Sequence, residues 1–125
     1  MKHSLKLIIL VLCITTLACS NDDNAIDETT KTELKDKFVG EWLRSDSNES
    51  IENRINLENN NMGYITHRTT TEEGVTSSLN PISWSITANQ FTIIKDNTET
   101  TSTFEFLDNG HLLLPDISEF EFIKQ

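Results

Sequence analysis

The sequence predicts an all-β, antiparallel fold, a meander of about eight short strands preceded by one short helix. Apolar and polar residues alternate with a period of two over most of the chain after Gly40. Turn-forming residues separate these runs at spacings of roughly 8 to 12 residues. Strands of this number close into a barrel or stack as a sandwich, and the pattern alone leaves both open.

The first element is a short helix within KTELKDKFVG, residues 31–40. Thr32 is its expected N-cap, and Gly40 is expected to end it. One face of this helix is apolar: Leu34, Phe38 and Val39. No longer helix is expected elsewhere after the N-terminal apolar run.

The first strands follow Gly40 and continue to about residue 81. Four side chains alternate onto one face of the second strand: Ile51, Asn53, Ile55 and Leu57. After the turn ENNNMG, the segment from Tyr64 to Thr71 predicts the returning strand, because its threonines are β-branched. We expect TEEGVTSSLNP, residues 71–81, to be a polar excursion that holds part of a strand.

The later strands are shorter. The clearest alternation holds Ile82, Trp84, Ile86 and Ala88, and the next strand holds Phe91, Ile93 and Ile94. Phe104 and Phe106 then precede Asn109-Gly110, a pair that tolerates the positive φ angles of a type I′ hairpin turn. HLLLP is the expected return strand, and the segment around Phe122 is the expected last strand.

Residues 1–18 have the layout of a secretory signal peptide. A positively charged start, Lys2 to Lys6, precedes an apolar run of 12 residues, Leu7 to Ala18. A membrane-spanning helix would need roughly 20 apolar residues, so this run is too short to span. No other stretch of the sequence is apolar enough to do so.

Charge and cysteine content limit the partners of the remaining chain. After residue 18 there are eight basic and 20 acidic residues, a net charge near −12. An acidic domain repels phosphate backbones, so nucleic acid is not an expected partner. The charge either serves solubility or attracts a cationic protein partner, and both interpretations stay open. Cys19 is the only cysteine left, so no disulfide can form.

The stretch TTLAC, which ends at Cys19, resembles the lipobox of bacterial lipoproteins. The small residue Ala18 precedes the cysteine, although the family's usual leucine lies one position further away than Leu17 does. Cys13 follows the bulky Leu12 and does not fit. The resemblance implies that Cys19 is thioether-linked to diacylglycerol and N-acylated, for example with palmitate, and anchors the chain in a membrane. Ordinary cleavage that leaves a free thiol is the alternative.

The residues after Cys19 resemble a sorting signal followed by a linker. SNDDN, residues 20–24, resembles the acidic export tag of lipoproteins on the outer face of some Gram-negative outer membranes. This implies an outer-membrane protein that faces the cell exterior, with a periplasm-facing anchor as the alternative. Residues 19–31 are predicted to be a flexible acidic tether, since only Ala25 and Ile26 are apolar.

The stretch FVGEWLRS places Gly40 and Trp42 at the start of the first strand. This resembles the Gly-x-Trp signature of lipocalins, and most of all the small bacterial lipocalin-like domains behind lipoprotein signals. The resemblance implies that residues 32–125 form a closed lipocalin-like barrel of about eight strands. It implies that Gly40 allows the sharp turn into the barrel and that the ring of Trp42 plugs the closed end. Where the family has a late arginine over the tryptophan ring, this chain has only Lys124.

The sequence contains no recognisable catalytic, metal or cofactor motif. His67 and His111 lack the spacing of metal ligands, and no second ligand pair accompanies them. A nucleophile elbow, a phosphate loop and a dinucleotide fingerprint are all missing from the sequence. We therefore expect no enzyme activity, no metal and no cofactor.

The inward-facing side chains are the remaining candidates for function. They are expected to be Ile55, Leu57, Trp84, Ile86, Phe91, Ile93, Phe104, Phe106 and Leu112. Trp84, Phe104 and Phe106 are the predicted wall of a ligand cavity, and Tyr64 is predicted to join Trp84 as an inward-facing polar group. A barrel of about eight strands is filled by side chains or holds one small ligand.

Two functional hypotheses follow. The first is a surface-exposed lipoprotein that binds a small apolar or amphipathic ligand in its barrel. The alternative is an acidic protein-binding module, for example an inhibitor, with a filled barrel core and a cationic partner.

Overall fold

A computed structural model of the chain describes residues 27–125. The predicted signal peptide 1–18, Cys19 and most of the predicted tether lie outside the described residues. The described part contains one helix and nine strands in a single antiparallel sheet, which forms a nearly closed barrel. The predicted all-β, lipocalin-like fold class is confirmed. None of the described helical residues form a segment long and apolar enough to cross a membrane.

The helix α1 spans Glu28–Phe38. The strands are β1 Gly40–Arg44, β2 Ile51–Leu57, β3 Met62–Thr71, β4 Gly74–Ile86, β5 Gln90–Lys95, β6 Thr98–Thr103, β7 Glu105–Phe106, β8 Leu112–Leu113 and β9 Phe122–Lys124.

The sheet runs in the order β6-β5-β4-β3-β2-β1-β9-β8-β7, and each pair is antiparallel. The meander from β1 to β6 builds one side, and the last strand β9 pairs with β1 through Trp42 opposite Lys124. The outermost strands β6 and β7 are separated in sequence by Phe104 alone. The chain thus passes directly from one edge of the sheet to the other, which brings the barrel near closure.

The helix begins earlier than the sequence predicts. It starts at Glu28, so Thr32 lies inside it, and the Thr32 hydroxyl donates to the Glu28 carbonyl at 2.9 Å. The prediction of Thr32 as N-cap is wrong, and residues 28–31 of the predicted tether are helical. An acidic residue in the first turn favours this extension, because it complements the helix dipole.

The turn at Asn109-Gly110 differs from the sequence prediction. Gly110 has φ +82°, but Asn109 is not among the residues with positive φ, so Asn109-Gly110 is not a type I′ turn. The hairpin itself is present, closed by a bond from Gly110 N–H to the Leu107 carbonyl at 2.9 Å. Asp96 and Asn97, with φ 50° and 61°, instead provide two consecutive left-handed residues, between β5 and β6.

Strand β4 is longer than predicted. It runs without interruption from the expected polar excursion into the expected apolar strand. It pairs with β3 from Gly74 to Ser83, whereas within residues 27–125 it pairs with β5 only from Ser83 to Ile86. The segment Gly74–Leu79 is exposed. β4 therefore extends beyond the β5–β6 hairpin.

The hydrophobic core lies on the inner face of the sheet. Seven of the nine side chains predicted to face inward are buried, and Phe104 and Phe106 pack against them as partly buried residues. The buried hydrophobic residues outside that predicted set are Phe38, Trp42, Ile82, Leu114 and Phe122. The position of Phe38 decides how much of the barrel is filled.

Candidate functional site

The closed end of the barrel is built around Trp42, which is buried on the inner face of β1. Its indole Nε1 donates to the carbonyl of Phe38 at 2.7 Å, and this carbonyl belongs to the last residue of α1. Lys124 Nζ lies 5.3 Å from the centre of the Trp42 ring and donates to the carbonyl of Lys37 at 3.0 Å. Two barrel side chains thus satisfy carbonyl groups that the helix leaves open at its C-terminus.

Gly40 joins the helix to the barrel beneath this lysine. Its φ of +135° lies where side chains other than glycine are strained. A Cβ at this position would also lie 2.9 Å from Cε of Lys124. Both observations explain why a glycine precedes the tryptophan by two positions.

Phe38 fills the half of the barrel next to this closed end. Its side chain is fully buried and stacks on Phe91, with ring centroids 5.1 Å apart. Phe104 and Phe106 meet it edge to face at 4.9 Å and 5.0 Å, and Trp84 lies at 6.2 Å. The predicted ligand wall therefore packs against a side chain of the protein's own helix.

Trp84 also has its polar group engaged. Its Nε1 lies 3.1 Å from the carbonyl oxygen of Glu58 and 3.0 Å from that of Met62, both near the β2–β3 turn. The indole donor is therefore directed at the main chain, as expected for a buried tryptophan. Its ring is 3% exposed and belongs to the core.

The prediction that Tyr64 faces the interior is wrong. Tyr64 is 37% exposed and pairs with Asn56, on the outer face of the sheet. The register explains this, because Gly63 is the inward-facing neighbour opposite Leu57. A Cβ at Gly63 would overlap the carbonyl oxygen of Asn56, so only glycine fits the close approach of β2 and β3.

The other half of the barrel contains an open cavity of about 460 Å³. Its apolar wall is formed by Ile65, Ile93 and Ile117. The polar and charged side chains around it are Lys95, Asp96, Thr98, Thr100 and Asp116. Trp84, Phe104, Phe106 and Tyr64 are not among the residues that line it.

A smaller cavity of about 190 Å³ adjoins this one through Ile65 and Ile117, which line both. Its further lining residues are Arg44, Asn53, Arg54, Ile55, Ser118 and Phe122. We call the two cavities together the mouth of the barrel. The mouth combines an apolar wall of four isoleucines and Phe122 with nine polar or charged side chains, so both apolar and polar groups are available to a small molecule.

Asn53 is a polar residue of the mouth that is held through both its backbone and its side chain. Its backbone N–H donates to the Ser47 hydroxyl at 3.0 Å, and its side-chain Oδ1 lies 2.7 Å from Nδ1 of His67. Thr69 Oγ1 lies 3.2 Å from the other ring nitrogen of His67. The alternation of β2 places Asn53 on the inner face with Ile55, but the sequence gives no sign that this amide is held by a network.

Arg44 contributes little net charge to the mouth, because Asp46 pairs with it. The two side chains form a bidentate pair, with Nε–Oδ1 at 2.6 Å and Nη2–Oδ2 at 2.8 Å. These hydrogen bonds lower the pKa of the Asp46 carboxyl and raise the pKa of the Arg44 guanidinium. The guanidinium also lies over the Phe120 ring, 5.4 Å from its centre.

A second set of ion pairs links the first three strands and includes Arg54, which also lines the smaller cavity. Arg54 contacts both Glu41 and Glu52, and Arg68 bonds Glu52 at 2.9 Å, which links β1, β2 and β3. His111 Nδ1 lies 2.7 Å from a Glu121 carboxylate oxygen. Within residues 27–125 no group of three or more His, Cys, Asp or Glu side chains is placed to hold a metal ion.

Comparison of the chain with protein-family models, with curated proteins and with solved structures found no match.

Proposed function

We propose that this chain is a lipid-anchored binding protein that holds one small amphipathic molecule in the mouth of its barrel. The observation that carries the proposal is the open cavity of about 460 Å³ beside a closed half filled by Phe38. Its volume lies within the range of roughly 300 to 1,000 Å³ common for small-molecule pockets.

The chemistry of the mouth supports an amphipathic ligand. An apolar chain against Ile65, Ile93 and Ile117 would gain about 25 cal/mol for each Å² of apolar surface removed from water. The polar end of the ligand would lie near the rim, where Lys95 and Asp116 meet solvent. The aromatic residues predicted from the sequence would support this mouth indirectly, as the packed base of the barrel.

A cavity-filling substitution tests the ligand site. Thr100 lines the mouth, and Thr103 is an exposed residue on the outer face of the same strand. We expect Thr100→Trp to abolish binding of the uncharged fluorescent probe N-phenyl-1-naphthylamine, whereas Thr103→Trp should leave its affinity unchanged. Equal binding by both variants, or no binding by the unaltered protein, would contradict the proposal.

Anchoring at Cys19 and display on the cell exterior rest on the sequence resemblances. Palmitate labelling should be lost when Cys19 is replaced by Ala. Palmitate label that persists in the Cys19→Ala variant would rule out this anchor. For the second claim, protease added to intact cells should degrade the protein if it faces outward.

The second candidate is an acidic module that binds a cationic protein. Two observations favour it. The closed half of the barrel is filled, and residues 27–125 contain 18 acidic but only eight basic side chains. Capture of a basic protein should then weaken steeply as salt rises, because salt screens attraction between exposed charges. In this case Thr100→Trp would not affect binding.

A further inference from the structure

The amide nitrogen of Asn53 is a buried hydrogen-bond donor with no partner within residues 27–125. Buried polar groups in native proteins nearly always have a partner, so each exception calls for an explanation. Here the group lies in a residue that lines the smaller cavity of the mouth. The missing partner can therefore come from a molecule bound in that cavity.

The rest of the Asn53 side chain is held in place, which leaves the amide nitrogen free to act. Neutral histidine has one ring nitrogen that donates and one that accepts. If the Thr69 hydroxyl donates to Nε2 of His67, then Nδ1 carries the proton and donates to Asn53 Oδ1. This arrangement satisfies Oδ1. The Ser47 hydroxyl fixes the backbone of the same residue.

The surroundings of the amide favour an uncharged acceptor. Ile55, Ile65 and Phe122 provide apolar walls, and the nearby Arg44 is already neutralised by Asp46. Both cations of the smaller cavity, Arg44 and Arg54, are paired with carboxylates, and an anion would also meet the overall negative charge of the chain, −10. A carbonyl oxygen is uncharged, so it accepts a hydrogen bond without needing a cation and without repulsion from the negative charge of the protein.

We propose that Asn53 Nδ2 donates a hydrogen bond to an uncharged oxygen acceptor, of the carbonyl type, on the molecule held in the mouth. This inference rests on the proposed binding function and adds the chemical class of the ligand, an apolar chain with a neutral carbonyl such as a ketone or an ester. Asn53 is then the residue that orients the ligand in the barrel.

The test uses two probes of equal chain length, 2-decanone as a neutral acceptor and decylammonium as a cationic donor. The full chain with Cys19→Ser is titrated in the absence of detergent, since detergent would compete for an apolar site. Asn53→Asp replaces the donor with a carboxylate. Asn56→Asp, on the outer face of the same strand, adds the same charge away from the mouth.

We expect the unaltered protein to bind 2-decanone, and Asn53→Asp to bind it about tenfold more weakly, as for one lost hydrogen bond. Asn53→Asp should also gain affinity for decylammonium, and Asn56→Asp should change neither affinity. Circular dichroism and thermal unfolding of each variant should show that it is folded. Asn53→Leu, which removes the donor without adding charge, should also lower the ratio of 2-decanone to decylammonium affinity.

The outcomes separate this inference from the function on which it rests. Unchanged 2-decanone affinity in Asn53→Asp and Asn53→Leu would overturn the inference and leave the binding function standing, with water as the partner of the amide. A preference of the unaltered protein for decylammonium would also overturn it. If neither probe binds to any form of the protein, both proposals fail.

Discussion

Phe38 of the helix and Phe91 of β5 stack with ring centroids 5.1 Å apart and an angle of 6° between their planes. This contact joins an element outside the sheet to the centre of the barrel. Phe104 and Phe106 close around the same ring from the opposite edge of the sheet. The helix is thus part of the core, and the barrel is filled where α1 enters it.

Phe38→Ala should be among the most destabilising substitutions. It removes a fully buried ring on which four other aromatic residues pack, and such truncations cost about 3–5 kcal/mol. Urea unfolding measures the loss in the free energy of unfolding. Phe120→Ala, at a ring that is 38% exposed, is the control and should cost less than about 1 kcal/mol. Similar losses in the two variants would contradict the role given to Phe38.

Lys124→Met tests the contact that covers Trp42. Methionine keeps most of the apolar volume but loses the charge over the ring and the hydrogen bond to Lys37. We expect a loss of about 1 kcal/mol, the scale of an exposed cation–π contact. Thermal unfolding gives the change, and Lys31→Met on the exposed side of α1 serves as the control. A change in Trp42 fluorescence should accompany the loss.

Gly40→Ala should destabilise the protein more than Gly74→Ala. Both glycines have nearly the same φ, +135° and +139°, so the two variants carry a similar backbone strain of roughly 1–3 kcal/mol. Only at Gly40 does the added Cβ meet another side chain, that of Lys124, since nothing lies within 4 Å at Gly74. The excess should shrink in a Lys124→Ala background, because that change removes the side-chain atoms that the added Cβ meets. If Gly40→Ala exceeds Gly74→Ala by the same loss of stability in both backgrounds, the contact with Lys124 is not the cause.

The pair of Arg44 and Asp46 should make stability depend on pH in the acid range. Since the pKa of Asp46 is lowered in the folded state, the pair stabilises the protein above the unfolded carboxyl pKa of about 4. This contribution is lost as pH falls through the lower folded value. The unaltered protein should exceed Asp46→Asn by up to about 1 kcal/mol at pH 7. A difference that persists undiminished near pH 2 would count against this assignment.

The sequence predicts the parts of the fold that depend on apolar alternation. The strands that carry Ile55, Trp84 and Phe91 have this pattern, and their side chains are buried as expected. Strand β6 was not predicted, because its sequence TETTST has no apolar residue to mark an inner face. Its inner face is polar, with Thr98 and Thr100, because it lines the mouth.

The site was harder to predict, for two physical reasons. The aromatic residues were expected to form the cavity wall, but local sequence cannot reveal that Phe38, which is distant in the chain from Phe91 and Phe104, occupies the space between them. Tyr64 is expected to face inward, but the register of β3 against β2 places Gly63 and Ile65 on the inner face and Tyr64 on the outer face. The alternation places Asn53, Ile55 and Ile93 on the inner face, but it does not show that they line an open cavity.

The two ends of strand β4 should differ in how well their backbone amide hydrogens are protected from exchange with solvent. From Ser83 to Ile86 it pairs with β5 and carries the buried side chains of Trp84 and Ile86, whereas Gly74–Leu79 is exposed and pairs with β3. Amide hydrogens of residues 83–86 should exchange with solvent only when the whole barrel unfolds. Those of residues 74–79 should exchange through local fraying. Local opening of the exposed end of β4 therefore leaves the aromatic base folded, since no residue of Gly74–Leu79 belongs to the hydrophobic core.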